Sequence, residues 1–246
     1  MNIIIPIAGA NRPGGDTEYI KSLQEIERKT VLQYSFESLQ SLEAEHFIVV
    51  VKREDVSRYH LDNIVKLLRP EAEIVIAEGE TMGAACTCML AIDRVDMRQP
   101  LLIVGSDQLL TIPAKPILDE FQKKGYDGGV VIFDDVHPRW SYVRLDGQEH
   151  VVEAAEKRPI SRNAVAGFYY YRTAQSFFEG AERMIMKRAS VNDRYYICPV
   201  FNEMILQQQV IGVHRIEKAQ YFSLSHDSGM EAFRAYLQHS QGGKRR

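Results

Sequence analysis

Apolar residues fall into short continuous runs, separated by longer stretches where they recur every third or fourth position. Runs at 3–7, 47–51, 73–77, 101–104 and 129–133 do not alternate strictly with polar residues. Such runs mark strands buried on both faces of a largely parallel sheet. Between them, 55–68 (DVSRYHLDNIVKLL) sets Val56, Tyr59, His60, Ile64, Leu67 and Leu68 at helical spacing, and Pro70 closes the segment. Helices are expected in the same way over 30–42, 81–93 and 114–124. Strand followed by helix, repeated four times, is the signature of βαβ units.

The pattern changes after Asp134. Segment 140–155 (WSYVRLDGQEHVVEAA) predicts two strands joined at Asp146-Gly147, a dipeptide suited to the positive φ of a hairpin turn. A strand over 164–171 (AVAGFYYY), helices over 173–188 and 200–208, and a strand over 212–216 follow. The second half is therefore expected to form a mixed α/β cap on the parallel first half. The fold class is α/β: a single-domain, Rossmann-like three-layer sandwich with a largely parallel mixed sheet. The domain is expected over 1–235, with a flexible tail over 236–246 that contains the basic run GGKRR.

Composition narrows the function. The chain has 246 residues, 45% hydrophobic and 26% charged, an ordinary globular balance. Its 30 Lys and Arg against 33 Asp and Glu give a net charge of −3, without the broad positive field that duplex nucleic acid requires. Three cysteines, Cys86, Cys88 and Cys198, are too few and too scattered for a disulfide framework or a zinc site. No run approaches the roughly 20 apolar residues that span a bilayer. A cytoplasmic protein is expected, with neither nucleic acid nor membrane as partner.

Ligands of open parallel sheets bind beyond the carboxyl ends of the strands. The loop after the first strand, AGANRPGG at 8–15, is glycine-rich, and its backbone amides suit phosphate oxygens or serve as a plain connector. Segment 101–110 (LLIVGSDQLL) ends an apolar strand in Gly-Ser-Asp, where Asp107 suits either a hard cation such as Mg²⁺ or a turn cap. Segment 78–85 (EGETMGAA) reads as a loop entering a helix that Thr81 is placed to cap. In EAAEKRPISRNAVAGFYYY at 153–171, Glu156-Lys157 lies shortly before Pro159, and Gly167 precedes Phe168 and Tyr169.

Taken in chain order, PIAGANRPGG, KSLQEI, RKTVLQYSFESL, LLIVGSDQLL and the 153–171 segment resemble the sugar-phosphate nucleotidyltransferases of the NTP-transferase superfamily, which have a GT-A-like fold. The resemblance spans residues 1–235. It implies an NTP and a small phosphorylated substrate, such as a sugar 1-phosphate, as partners, Mg²⁺ as cofactor, and a place in surface-polysaccharide or nucleotide-sugar synthesis. It also implies that Ala8, Gly9, Ala10, Asn11, Glu78, Gly79, Thr81, Gly83 and Ser106 line the nucleotide. Lys21 would bind its phosphates, and Asp107 would hold the metal. Glu156, Lys157 and Gly167 would form the acceptor side, with Glu156 taking hydroxyls and Lys157 the phosphate; Lys21, Asp107 and Lys157 would carry the catalysis. Self-association into a homo-oligomer is left open.

Three departures stand out. Asn11 replaces a family glycine, Ser22 a proline, and Ser223 stands near the position of a second metal aspartate, with Asp227 four residues on. A glycosyltransferase of the related fold normally carries D-x-D, whereas Ser106-Asp107-Gln108 offers one carboxylate. A nucleotide-binding module without turnover is the remaining alternative.

Overall fold

A computed structural model describes residues 1–8, 20–42, 44 and 46–242. The first half contains β1 (Asn2–Pro6), β2 (Glu25–Ile26), β3 (Lys29–Thr30), α1 (Val31–Ser38), β4 (His46–Lys52), α2 (Arg53–Tyr59), α3 (Leu61–Leu68), β5 (Glu73–Ala77), α4 (Ala84–Met89), β6 (Leu101–Val104), β7 (Gln108–Leu110) and α5 (Ala114–Lys123). The second half contains β8 (Gly128–Asp134), β9 (Ser141–Leu145), β10 (Val151–Glu156), β11 (Asn163–Tyr171), α6 (Ala174–Met186), α7 (Val200–Leu206), β12 (Ile211–Arg215), β13 (Tyr221–Ser223) and α8 (Asp227–Gly242).

Strands β5, β4, β1 and β6 pair in parallel, in that order. β11 then joins β6 antiparallel and carries β8 on its other side, with β12 parallel to β8. The β9–β10 hairpin touches β11 at the pair Ala164–Tyr142. Nine strands thus share one sheet. Because side chains alternate across a strand, Ile3, Ile5, Val49 and Val104 face Leu32, Phe36, Leu61, Val65 and Phe121 of α1, α3 and α5, while Ile4, Ile48, Val50 and Ile103 face Ala85, Phe177, Ala181 and Phe201 of α4, α6 and α7. The three layers follow from that alternation. Each of the Val, Leu, Ile and Phe side chains, fully buried, contributes about 1.5–3 kcal/mol of transfer free energy.

Local chemistry sets the helix ends. Thr30 caps α1, its hydroxyl accepting from the Gln33 amide at 3.1 Å, and Thr173 caps α6 in the same way. The helix expected over 55–68 is two helices, because His60 adopts a left-handed φ of 52° between α2 and α3. The helix expected over 81–93 is shortened to α4. Its N-terminal cap is Gly83 and not Thr81, whose hydroxyl bonds Thr87 Oγ1 at 2.6 Å. The hairpin at 140–155 forms, but with a wider turn: Asp146 accepts from the Gln148 and His150 amides, and the positive φ belongs to Glu149, not Gly147.

The second half, expected as a mixed α/β cap, instead extends the same sheet through β8, β11 and β12, within the single α/β domain expected from the sequence. The boundary expected between 235 and 236 falls inside α8, which runs on to Gly242. Its residues Phe233 and Met230 close a small cluster over Ile26, Val31, Leu109 and Leu224.

Candidate functional site

A cleft of about 1000 Å³ opens across the carboxyl ends of β1, β4 and β6 and the facing ends of β9, β10 and β11. The antiparallel β11 makes this convergence possible: its middle lies opposite the exit of β6, so Gly167 carbonyl accepts from the Gly105 amide at 3.3 Å. Gly167 has φ of 66° at a register shift in β11, a backbone that an L side chain resists.

Asp107 sits half-buried in the cleft lining, at the turn between β6 and β7. Burial pushes its carboxyl above the ordinary aspartate range, opposed by the hydrogen bond from Gln108 Nε2 at 2.8 Å and by nearby His226. Its backbone is fixed as well, its carbonyl accepting from the Leu224 amide at 2.7 Å, while the neighbouring Ser106 carbonyl accepts from Ser35 Oγ at 2.6 Å. Beside it, Ser223, Ser225 and His226 form a hydrogen-bonded chain with links of 2.8 and 2.7 Å.

Across the cleft, β10 ends in Glu156 and Lys157. Burial raises the Glu156 carboxyl, against a short hydrogen bond from Ser141 and the charge of Lys157. Lys157 takes a left-handed φ of 54°; its amide donates to the Trp140 carbonyl at 3.0 Å and its ammonium to Tyr196 Oη at 2.8 Å. Arg139 and Arg194 add positive charge to the lining, Lys52 is ion-paired there with Glu80, and Arg139 stacks on Trp140 at 4.2 Å.

Gly83 marks the join with the far wall. Its φ is 109°, and a Cβ there would lie 2.4 Å from the Tyr195 carbonyl oxygen. That close approach lets the Tyr195 amide reach Met82 carbonyl at 2.7 Å and the Ala85 amide reach Tyr195 carbonyl at 3.0 Å. The loop bearing Tyr196 is thereby anchored to the start of α4.

Of the residues expected from sequence, Ala8, Gly83, Ser106, Asp107, Glu156, Lys157 and Gly167 line this one cleft. Glu78, Gly79 and Thr81 do not. Glu78 is exposed and paired with Arg53 at 2.6 Å, which holds its carboxyl low, and Gly79 has open space around it. Lys21 is also absent from the lining; its ammonium pairs with Asp227 at 2.9 Å, one residue from the cleft-lining His226. Gly9, Ala10 and Asn11 lie outside the described residues. Sequence reasoning missed Lys52, Asp55 and Glu80, which the charged run KRED after an apolar strand signals in part, and Gln108, Tyr196 and His226.

The sequence profile of nucleotidyl transferases matches residues 17–205, more than half of the chain. The chain belongs to the nucleotidyl transferase family. Solved structures repeat the same architecture. A nucleoside-diphosphate-sugar pyrophosphorylase from Vibrio cholerae RC9 superposes with a TM-score of 0.79 at 21% identity, over 95% of this chain and 99% of that one. A UDP-glucose pyrophosphorylase complexed with UDP-glucose gives 0.77 at 18%, over 97% and 98%. The inositol-1-phosphate CTP transferase of T. maritima gives 0.73 at 14%, over 94% of each chain. At these identities the likeness is one of fold. No curated protein matches the sequence.

Proposed function

We propose that this nucleotidyltransferase moves an NMP group from an NTP to a small phosphorylated acceptor, a sugar 1-phosphate or a related phosphate monoester, and releases pyrophosphate. The observation that carries the reading is that Asp107 and the Glu156-Lys157 pair, 49 positions apart at the nearest, face one cleft from opposite sides. One side suits a triphosphate and the other a phosphorylated acceptor. An oxygen of the acceptor phosphate bonds to the α-phosphorus, and the bond to the bridging oxygen breaks, its electron pair leaving with pyrophosphate. A phosphate monoester is largely dianionic at neutral pH, its second pKa being about 6, so no side-chain base is required. Lys157 positions the acceptor phosphate, Glu156 accepts hydroxyl hydrogen bonds, and Lys21 serves the donor phosphates once released from Asp227.

The donor set fits one Mg²⁺. Mg²⁺ accepts one carboxylate supplemented by water and substrate phosphates, and Asp107 supplies that carboxylate at the cleft. Among the described residues no cluster of three or more His, Cys, Asp or Glu side chains forms a ready-made metal cage. When bound, the ion neutralises charge on the phosphate oxygens. Residence in the cytoplasm and a role in nucleotide-sugar or surface-polysaccharide synthesis belong to the same reading. No helix among the described residues is long and apolar enough to cross a membrane.

Pyrophosphate release from a panel of NTPs and phosphorylated acceptors tests the proposal. Release that needs both Mg²⁺ and the acceptor is expected. Release independent of the acceptor, or nucleotide binding with no release for any acceptor, sinks it.

A further inference from the structure

Gln108 is enclosed in a way that its place in β7 does not require. Its backbone pairs with Ser223, a contact any residue there would keep. Its side chain, however, is held on four sides. Nε2 donates to Asp107 Oδ1 at 2.8 Å, and the Tyr221 hydroxyl donates to Oε1. A Cβ at Gly105 would lie 2.5 Å from Gln108 Cγ, and one at Gly167 would lie 2.7 Å from the same atom. Gly105, just after β6, and Gly167, within β11, thus leave room for this one side chain.

The polarity of the arrangement is fixed. An ionised carboxylate only accepts, so the amide turns its nitrogen to Asp107 and its oxygen to Tyr221. Tyr221 is itself wedged, its ring 4.9 Å from Phe133 and 5.6 Å from Trp140. The chain Tyr221–Gln108–Asp107 therefore runs from a packed aromatic cluster to the cleft.

We infer that Gln108 is a positioning residue that holds one oxygen of Asp107 so that the carboxylate meets a divalent cation already oriented. This rests on the reading of Asp107 as the metal-holding residue. Groups that orient a metal's ligands commonly change metal affinity by about 10–100-fold when removed. Without the amide, the Asp107 carboxylate keeps only its hydrogen bond from the backbone and turns more readily about its last torsion, a rotation the cation must restrict on binding.

The test uses the full chain with Mn²⁺ as probe, followed by electron paramagnetic resonance with and without NTP. Gln108→Met keeps the length of the side chain and loses its donor. It is expected to weaken Mn²⁺ about tenfold or more, and to lower kcat while leaving the acceptor KM near its native value. Tyr221→Phe keeps the ring packing and should shift Mn²⁺ affinity in the same direction by less; it decides the matter if Gln108→Met does not fold. If Asp107→Asn loses Mn²⁺ and both other variants bind it as the native chain does, the inference is overturned while the metal reading stands. If Asp107→Asn also binds Mn²⁺ normally, the metal reading fails and the inference fails with it.

Discussion

The ammonium of Lys21 meets the carboxylate of Asp227 at 2.9 Å, across 206 positions of sequence. The lysine side chain is 12% exposed and the aspartate 81%, so the pair closes over the lysine at the start of α8. Lys21 holds the Asp227 carboxyl below its ordinary range. An acid matched in this way has little charge left for a second cation. Asp227→Asn is therefore expected to leave the number of Mn²⁺ ions bound in the absence of NTP at one, counted by electron paramagnetic resonance. Loss of a bound ion in that variant would show that Asp227 is a ligand.

The two lysines should separate kinetically. Lys157 hangs from the end of β10 beside Tyr196, whereas Lys21 lies against α8. Removing one charge-assisted contact costs about 1.5–3 kcal/mol, roughly tenfold or more in affinity. Lys157→Ala should raise the acceptor KM and Lys21→Ala the NTP KM, each by about that factor. Equal loss of NTP affinity in both variants contradicts the division.

Gly83→Ala tests the join between α4 and the Tyr195 loop. The new Cβ would approach the Tyr195 carbonyl to 2.4 Å, on a backbone with φ of 109°. A cost of at least about 1 kcal/mol is expected, read from the urea midpoint. Gly79→Ala, four residues earlier with nothing within 4 Å, is the control and should be nearly neutral.

Glu156 links stability to pH. Its carboxyl is raised, so the folded chain keeps that proton at pH values where the unfolded chain has released it. Its contribution to stability therefore falls as pH rises from the ordinary glutamate range through the raised value. Glu156→Gln retains a partner for Ser141 without the charge. It should unfold at a higher temperature than the native chain at mildly alkaline pH, and the advantage should vanish below the ordinary glutamate range. A gap that persists in acid would show that packing, not ionisation, is responsible. The same substitution should raise the acceptor KM.

The parallel strands were legible because burial on both faces leaves a continuous apolar run, and Asp107 because a carboxylate after such a run is conspicuous. The expected cap was wrong for a related reason. A strand inserted antiparallel between β6 and β8 has the same apolar run as a parallel one, so direction is not written in the sequence of 163–171. The roles of Gln108 and Tyr196 are not legible in the sequence because they depend on partners far along the chain, Tyr221 and Lys157. Thr81 is a helix-start residue by type, but the backbone turns two residues later, at a glycine packed against the Tyr195 loop. Short elements such as β7 and β13, three residues each, are too brief to leave a periodic signal.

The central position of β11 also governs how the molecule is made. β1, the partner of β6 on one edge, precedes it in the chain, whereas the partner of its other edge, Phe168–Tyr171, is synthesised later. At about 5–20 residues per second, the 67 residues between Val104 and Tyr171 take roughly 3–13 s to emerge. For that time the nascent chain presents an unpaired apolar edge, the kind of template that recruits other strands. A chain cut short between these points lacks the strand that covers this edge, so a truncation after residue 160 is expected to aggregate where the full chain stays dispersed.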